Sequence, residues 1–252
     1  MTTRLFHISD VHFGIENRAA LDSVARAIAD ERPDLLVCTG DLTQRAKHKE
    51  YAAAADWFAS LDVPVWIDPG NHDMPYYNPI ERFADPYRRY RRLKDAVAVE
   101  RFETDDIVLL PLRTTVPAQK RWPWSDGVIT AIALAEAHER LAPFGGDERH
   151  VVITAHHPLH GPSVEGPNAT IGGDAAFASL AQAGMNAVLS GHIHKPFNDF
   201  RGDGGAQAQV IGAGTLSRRL RHGAPPSYNV LTCKKGADEI EVELRELPHT
   251  VR

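Results

Sequence analysis

Five short apolar runs in this chain break off at residues that carry chemistry. Arg4 to Ser9 ends in Asp10-Val11-His12, Leu35 to Cys38 in Gly40-Asp41, and Val63 to Ile67 in Gly70-Asn71-His72-Asp73. Val151 to Thr154 ends in His156-His157, and Ala187 to Leu189 in Gly191-His192-Ile193-His194. Runs of this length, rich in branched and aliphatic residues, read as buried strands. Between them apolar residues recur at helical spacing, at Leu21, Val24, Ala25 and Ile28 before Pro33, and at Tyr51, Ala54, Ala55, Phe58 and Leu61. Strands alternating with helices predict an α/β chain whose sites gather outside the carboxyl ends of the strands. Carboxylates, imidazoles and one amide therefore converge on one edge, and that donor set is a metal cage.

The alternation continues through a strand at Ile107 to Leu110, a helix over roughly Thr130 to Leu141 and a helix near Ala175 to Ala183. After about Phe197 only strand patterns remain, at Gln209 to Ile211, Tyr228 to Thr232 and Glu239 to Leu247. Helices early and strands late argue for two sheets packed together with helices outside, not one doubly wound sheet. With no repeat, low-complexity tract or linker in view, residues 1–252 are expected to form a single domain. A chain of 252 residues buries enough surface to fold without staples. Cys38 and Cys233, the two cysteines, sit inside apolar runs and read as buried thiols.

The five blocks resemble those of the calcineurin-like metallophosphoesterases, matched here by Asp10-x-His12, Gly40-Asp41, Gly70-Asn71-His72-Asp73, His156 and Gly191-His192-x-His194. The resemblance implies a four-layer αββα sandwich of two mixed β-sheets flanked by helices, and a dinuclear metal site. Carried over residue by residue, it implies one ion on Asp10, His12, Asp41 and His194, and a second on Asp41, Asn71, His156 and His192. A bridging Asp41 suits a carboxylate, whose two oxygens reach both ions of a two-metal site. Imidazoles, carboxylates and an amide suit Mn²⁺, Fe²⁺/Fe³⁺ or Zn²⁺, whereas Mg²⁺ or Ca²⁺ favours an all-oxygen cage. Two such ions acidify a water, so the expected reaction is phosphodiester hydrolysis by metal-bound hydroxide. His72, between Asn71 and Asp73, is expected to overhang the ions as a charge stabiliser or proton donor, with Asp73 orienting it.

Within the family the Gly40-Asp41-Leu42-Thr43 block and the intact Asn71-His72-Asp73 look most like the bacterial class III cyclic-nucleotide phosphodiesterases. That branch would turn 3′,5′-cyclic AMP into 5′-AMP. Pro111-Leu112-Arg113-Thr114-Thr115 departs from the Asp-Ser pair of many relatives. A glycerophosphodiester, a phospholipid head group, a 2′,3′-cyclic nucleotide or a nuclease substrate therefore stays open, as does, more remotely, a non-catalytic metal-binding scaffold. Candidate substrate contacts are Asn71, His157, Arg113 and Trp124 in the long 111–127 loop beside Lys120, Arg121 and Trp122, and Arg218 among Arg218, Arg219 and Arg221. A second long loop, 158–173, reads as a partial lid or a surface excursion. The arginines between 82 and 94 follow one helical pattern and read as a solvated face.

Charge narrows the partners. With 28 basic and 33 acidic residues the formal charge is -5, which disfavours a protein that coats nucleic acid, although local patches stay open. No stretch of 18 apolar residues occurs and no leader precedes the first strand, so the expected setting is cytoplasmic with no membrane span. The expected partner is a small phosphodiester, a nucleotide above all, and homo-oligomer formation through the late strands stays open.

Overall fold

The computed structural model describes residues 2–120, 124–160, 170–202, 207–221 and 223–248. Two five-stranded mixed sheets form the centre. The first, ordered β10-β9-β1-β2-β3, holds β1 (Thr3–Ile8), β2 (Leu35–Cys38), β3 (Val65–Ile67), β9 (Ser227–Cys233) and β10 (Glu241–Glu246). The second, ordered β4-β5-β6-β8-β7, holds β4 (Ile107–Pro111), β5 (His150–Thr154), β6 (Ala187–Ser190), β7 (Phe197–Arg201) and β8 (Ala208–Gly212). Within each sheet the strands that deliver candidate site residues run parallel: β1 with β2 and β2 with β3, then β5 with β6.

Alternation along the strands builds three apolar layers. Leu5, Leu35, Val37 and Trp66 of the first sheet meet Ile107, Leu109, Val152 and Leu189 of the second. Their neighbours face outward: Phe6, Ile8, Leu36 and Cys38 pack on Leu21, Val24 and Ile28 of α1 (Arg18–Glu31) and on Tyr51, Ala54 and Phe58 of α2 (His48–Ala59). On the far side Val108, Leu110, Val151 and Ile153 pack on Ala133, Ala137 and Leu141, with Phe177 and Leu180. The helices there are α5 (Ala131–Leu141) and α6 (Gly173–Gln182), and the layers therefore run helix, sheet, sheet, helix. Helix starts obey local chemistry: the side chains of Asn17 and Thr130 accept the amide hydrogens of Ala20 and Ala133. Both cysteines are free and buried.

The arginine stretch 82–94 is not one helix. It divides into α3 (Pro79–Ala84) and α4 (Arg88–Val97), because Pro86 disfavours helical backbone at Asp85, which sits at φ -156°. Nor is that face merely solvated, since Glu81 on α3 takes hydrogen bonds from Arg88 and Arg89, and Arg89 also donates to the Ala46 carbonyl. The strand β7, half exposed along its length, had no counterpart among the expected elements.

Candidate metal centre

Strand ends carry the site, and their backbone is bent to do so. Asp10, His12, Asp41, His192 and His194 all have positive φ, between 50° and 70°. Non-glycine residues rarely hold this conformation, and it clusters where surrounding structure enforces a functional geometry. Glycines make room for them: a Cβ on Gly70 would stand 2.1 Å from Asp41 Oδ1, and Gly40, at φ +92°, lies against the His156 ring.

Seven side chains meet behind these turns. His194 Nε2 lies 3.0 Å from Asp10 Oδ1 and 3.2 Å from His12 Nε2, and His12 Nε2 lies 3.6 Å from Asp41 Oδ2. On the other side of Asp41, His156 Nε2 is 3.5 Å from Oδ1 and 3.2 Å from the Asn71 amide oxygen. The His192 ring packs 5.2 Å from the His156 ring, and its amide hydrogen bonds Asp10 Oδ2 at 2.8 Å. Asp10, His12, Asp41, His156, His192 and His194 are almost wholly buried.

The fit to metal ions follows from how the donor atoms are turned. His194 Nδ1 donates to the Arg219 carbonyl at 2.6 Å and His156 Nδ1 to the Thr39 carbonyl at 2.8 Å, so each ring turns Nε2 inward. Those nitrogens face carboxylate and amide oxygens, and Asp10 Oδ1 is buried without a hydrogen-bond donor. Such an arrangement calls for cations between the donors. Electrostatics agree: burial lifts carboxyl pKa values, yet His194 and His12 beside Asp10, and His156 beside Asp41, hold both acids well below the usual range. Burial equally opposes the His156 imidazolium, but Asp41 and Asp10 override it and raise that ring to about 9. The site draws positive charge inward.

His72 overhangs this cluster, its ring 4.8 Å from His12. What orients it is not Asp73. Asp73 is fully buried and accepts from the amides of Leu42, Thr43 and Gly70 and from the Thr43 hydroxyl, so it ties the Asp41 and Asn71 turns together. Its pKa is raised to about 6 by burial and by Asp41. The His72 ring instead donates Nδ1–H to the Gln44 carbonyl at 2.7 Å, and Arg219 Nη1 donates to its Nε2 at 2.9 Å.

Of the expected substrate contacts, two are placed elsewhere and a third, His157, packs against His192 and His156 from behind. His157 is buried with both ring nitrogens taken, Nε2 by the Ser125 carbonyl and Nδ1 by the Thr114 hydroxyl, so it walls the site without facing it. Arg113 lies over the Tyr87 ring and lines a different cavity of about 880 Å³ with Trp66 and Tyr90. Arg218 is exposed, and its amide donates to the Ile15 carbonyl. Its neighbour Arg219 enters the site and reaches His72; the run Arg218, Arg219 and Arg221 holds no sequence signal that singles it out. Trp124 does line the cleft above His72, a space of about 810 Å³ shared with Asn71, Arg45, Tyr76, Phe83 and Arg219. Arg121, Trp122 and most of the expected lid, 161–169, lie outside the described residues.

Comparison with known proteins follows the same lines. The family model for calcineurin-like phosphoesterases matches residues 3–196. A probable cyclic nucleotide phosphodiesterase of Pseudoalteromonas sp. (strain SM9913) is 28% identical over 207 residues, covering 77% of this chain and 72% of that one. Another, from a Synechococcus species, is 27% identical over 214 residues, covering 80% and 77%. Among solved structures, a dimetal phosphatase from Danio rerio shares the fold at TM-score 0.65 and 14% identity, over 95% of this chain and 98% of its own.

Proposed function

The chain belongs to the calcineurin-like phosphoesterase family, and from that membership and the geometry of its cleft we propose that it hydrolyses phosphodiesters, 3′,5′-cyclic nucleotides first among them. It is a metal-dependent phosphoesterase, from a family built on dinuclear divalent centres. One observation carries the diester reading: inward-turned imidazole nitrogens and carboxylate oxygens converge around Asp41 beneath the paired His72 and Arg219. Asp10, His12, Asp41 and His194 would hold one ion, and Asp41, Asn71, His156 and His192 the other. When bound, such ions polarise phosphoryl oxygens and acidify water for in-line attack.

The remaining roles belong to side chains. Arg219 keeps further guanidinium donors beyond the one on His72, and these face a phosphoryl oxygen in the cleft, where charge-assisted hydrogen bonds are strongest. His72 Nε2 stands where the leaving oxygen departs. In the present pairing it accepts from Arg219, so protonating that oxygen requires Arg219 to move onto the phosphoryl group and free Nε2 to carry the proton. Asp73 fixes the two turns that carry Asp41 and Asn71. Trp124, Tyr76 and Phe83 offer apolar faces for a nucleobase above the diester. The names of the two relatives support the cyclic-nucleotide substrate.

The test is hydrolysis of 3′,5′-cyclic AMP, 2′,3′-cyclic AMP, a glycerophosphodiester and p-nitrophenyl phosphate by protein reconstituted with Mn²⁺, Fe²⁺ or Zn²⁺. Conversion of 3′,5′-cyclic AMP to 5′-AMP as the preferred reaction is expected. Turnover confined to the monoester contradicts the proposal.

A further inference from the structure

Resting on the phosphodiesterase reading, we propose that the lip of the cleft is a track for single-stranded oligonucleotide, so that linear diesters several nucleotides long are substrates of the same centre. Eight large apolar side chains are exposed among the described residues, and four of them, Tyr76, Tyr77, Phe83 and Trp124, stand at this one mouth. Scattered singly they would mean nothing; gathered at a catalytic cleft they mark a surface that something covers. Tyr77, 68% exposed, stacks edge-on against Tyr76 with ring centres 5.1 Å apart and extends the aromatic surface beyond the cleft wall.

Cations alternate with those rings. The Arg45 guanidinium lies 4.4 Å from the centre of Tyr76, and the Lys47 ammonium 5.7 Å from that of Tyr77. Among the described residues their charged ends make ring contacts and no ion pair, which suits them to an anion. Arg219 stands on the same cleft. Rings that stack bases, interleaved with cations that hold phosphates, are how proteins grip single strands without reading sequence. A cyclic mononucleotide brings one base and one phosphate, enough for the metal centre and one ring. It leaves Tyr77 and Lys47 without a role, whereas the next nucleotide of a linear chain reaches them. The total charge of -5 rules against a duplex-coating surface but not against a track this local. An anionic lipid surface would also favour aromatic and basic residues, yet it wants them on one plane, and Tyr76, Phe83 and Trp124 line the walls of a cleft.

The experiment compares Mn²⁺-reconstituted wild type, Tyr77→Ala, Lys47→Ala and, as a distant control, Ile132→Ala on thymidine oligomers of two to six nucleotides and on bis-p-nitrophenyl phosphate. Fluorescence anisotropy of labelled hexathymidylate over a salt series reads binding without turnover. Wild type should gain kcat/KM with length, relative to the aryl diester, and then level off. Tyr77→Ala should weaken hexamer binding roughly fivefold or more, the loss of one stacked base. Lys47→Ala should flatten the log Kd against log salt slope by about 0.7. Ile132→Ala should match wild type. Length-independent kcat/KM, variants that bind the hexamer like wild type, or capture by phosphatidylglycerol vesicles with no affinity for the hexamer would overturn the track. Wild type unable to cleave bis-p-nitrophenyl phosphate would instead sink the phosphodiesterase reading, and anisotropy would still decide the track.

Discussion

The floor of the cleft and its lip are built on opposite principles. The floor is buried, its polar atoms meet in fixed geometry, and five of its residues hold backbone conformations that only enclosing structure can enforce. The lip is exposed, carried on loops and the short α3, and there Tyr76 meets the Tyr77 ring and the Arg45 guanidinium. The floor therefore specifies a reaction and the lip a substrate, and the two respond differently to substitution.

The largest effect is expected on the floor. Asp41→Asn replaces a carboxylate that turns one oxygen to His12 and the other to His156, and should cost more than the about 10²–10³-fold that loss of a single transition-state donor costs. It should also abolish the rise in Tm that Mn²⁺ or Zn²⁺ gives wild type. His72→Ala comes next: a loss of about 10²–10⁴-fold on esters with poor leaving groups, with the metal-induced Tm shift intact. An equal loss on an activated aryl ester assigns His72 to charge stabilisation alone. Asp73→Ala leaves three buried amides and a hydroxyl without their acceptor. A lowered Tm together with about 10–100-fold weaker metal affinity is expected; an unchanged affinity would show that the turns keep their place without it. On the other side of the comparison, Arg113→Ala and Arg218→Ala should leave kcat/KM on cyclic AMP within about twofold of wild type, as surface changes away from a site do.

A smaller effect concerns pH. His7, between the sheets, donates from Nε2 to the Thr39 hydroxyl, accepts from the Asn229 amide, and is pushed down to about 3 by burial. Its folded pKa lies below the ordinary 6.5, so the unfolded chain takes up the proton first. Its share of stability is complete above about pH 6.5 and is lost as pH falls toward 3. His7→Gln should flatten the fall in Tm between pH 7 and 5; an unchanged slope would place the acid sensitivity elsewhere.

The floor was legible in the sequence because each of its residues follows a strand, and strand ends in an α/β layer share an edge. Asp10, His12, Asp41, Asn71, His156, His192 and His194 came out together for that reason. Their backbone partners were not legible: the carbonyls of Thr39, Gln44 and Arg219 belong to any residue type, so nothing in the letters marks them. Asp73 was expected beside the His72 ring because adjacency in sequence suggested it, whereas the tight turn at residues 71–73 points the two side chains apart. The lip was hardest to read. An exposed Tyr77 or Phe83 looks in sequence like a core residue, and only the fold shows that it is exposed. Likewise β7 escaped because a half-exposed strand such as Phe-Asn-Asp-Phe-Arg lacks the apolar continuity that marked the others.

The most direct measurement titrates metal-free protein with Mn²⁺ while following bound ion by atomic absorption and cleavage of bis-p-nitrophenyl phosphate in the same samples. Two ions per chain, with cleavage appearing as the second binds, is the predicted result. Full activity with one ion, or two tightly held ions and no cleavage of the diester, would contradict it.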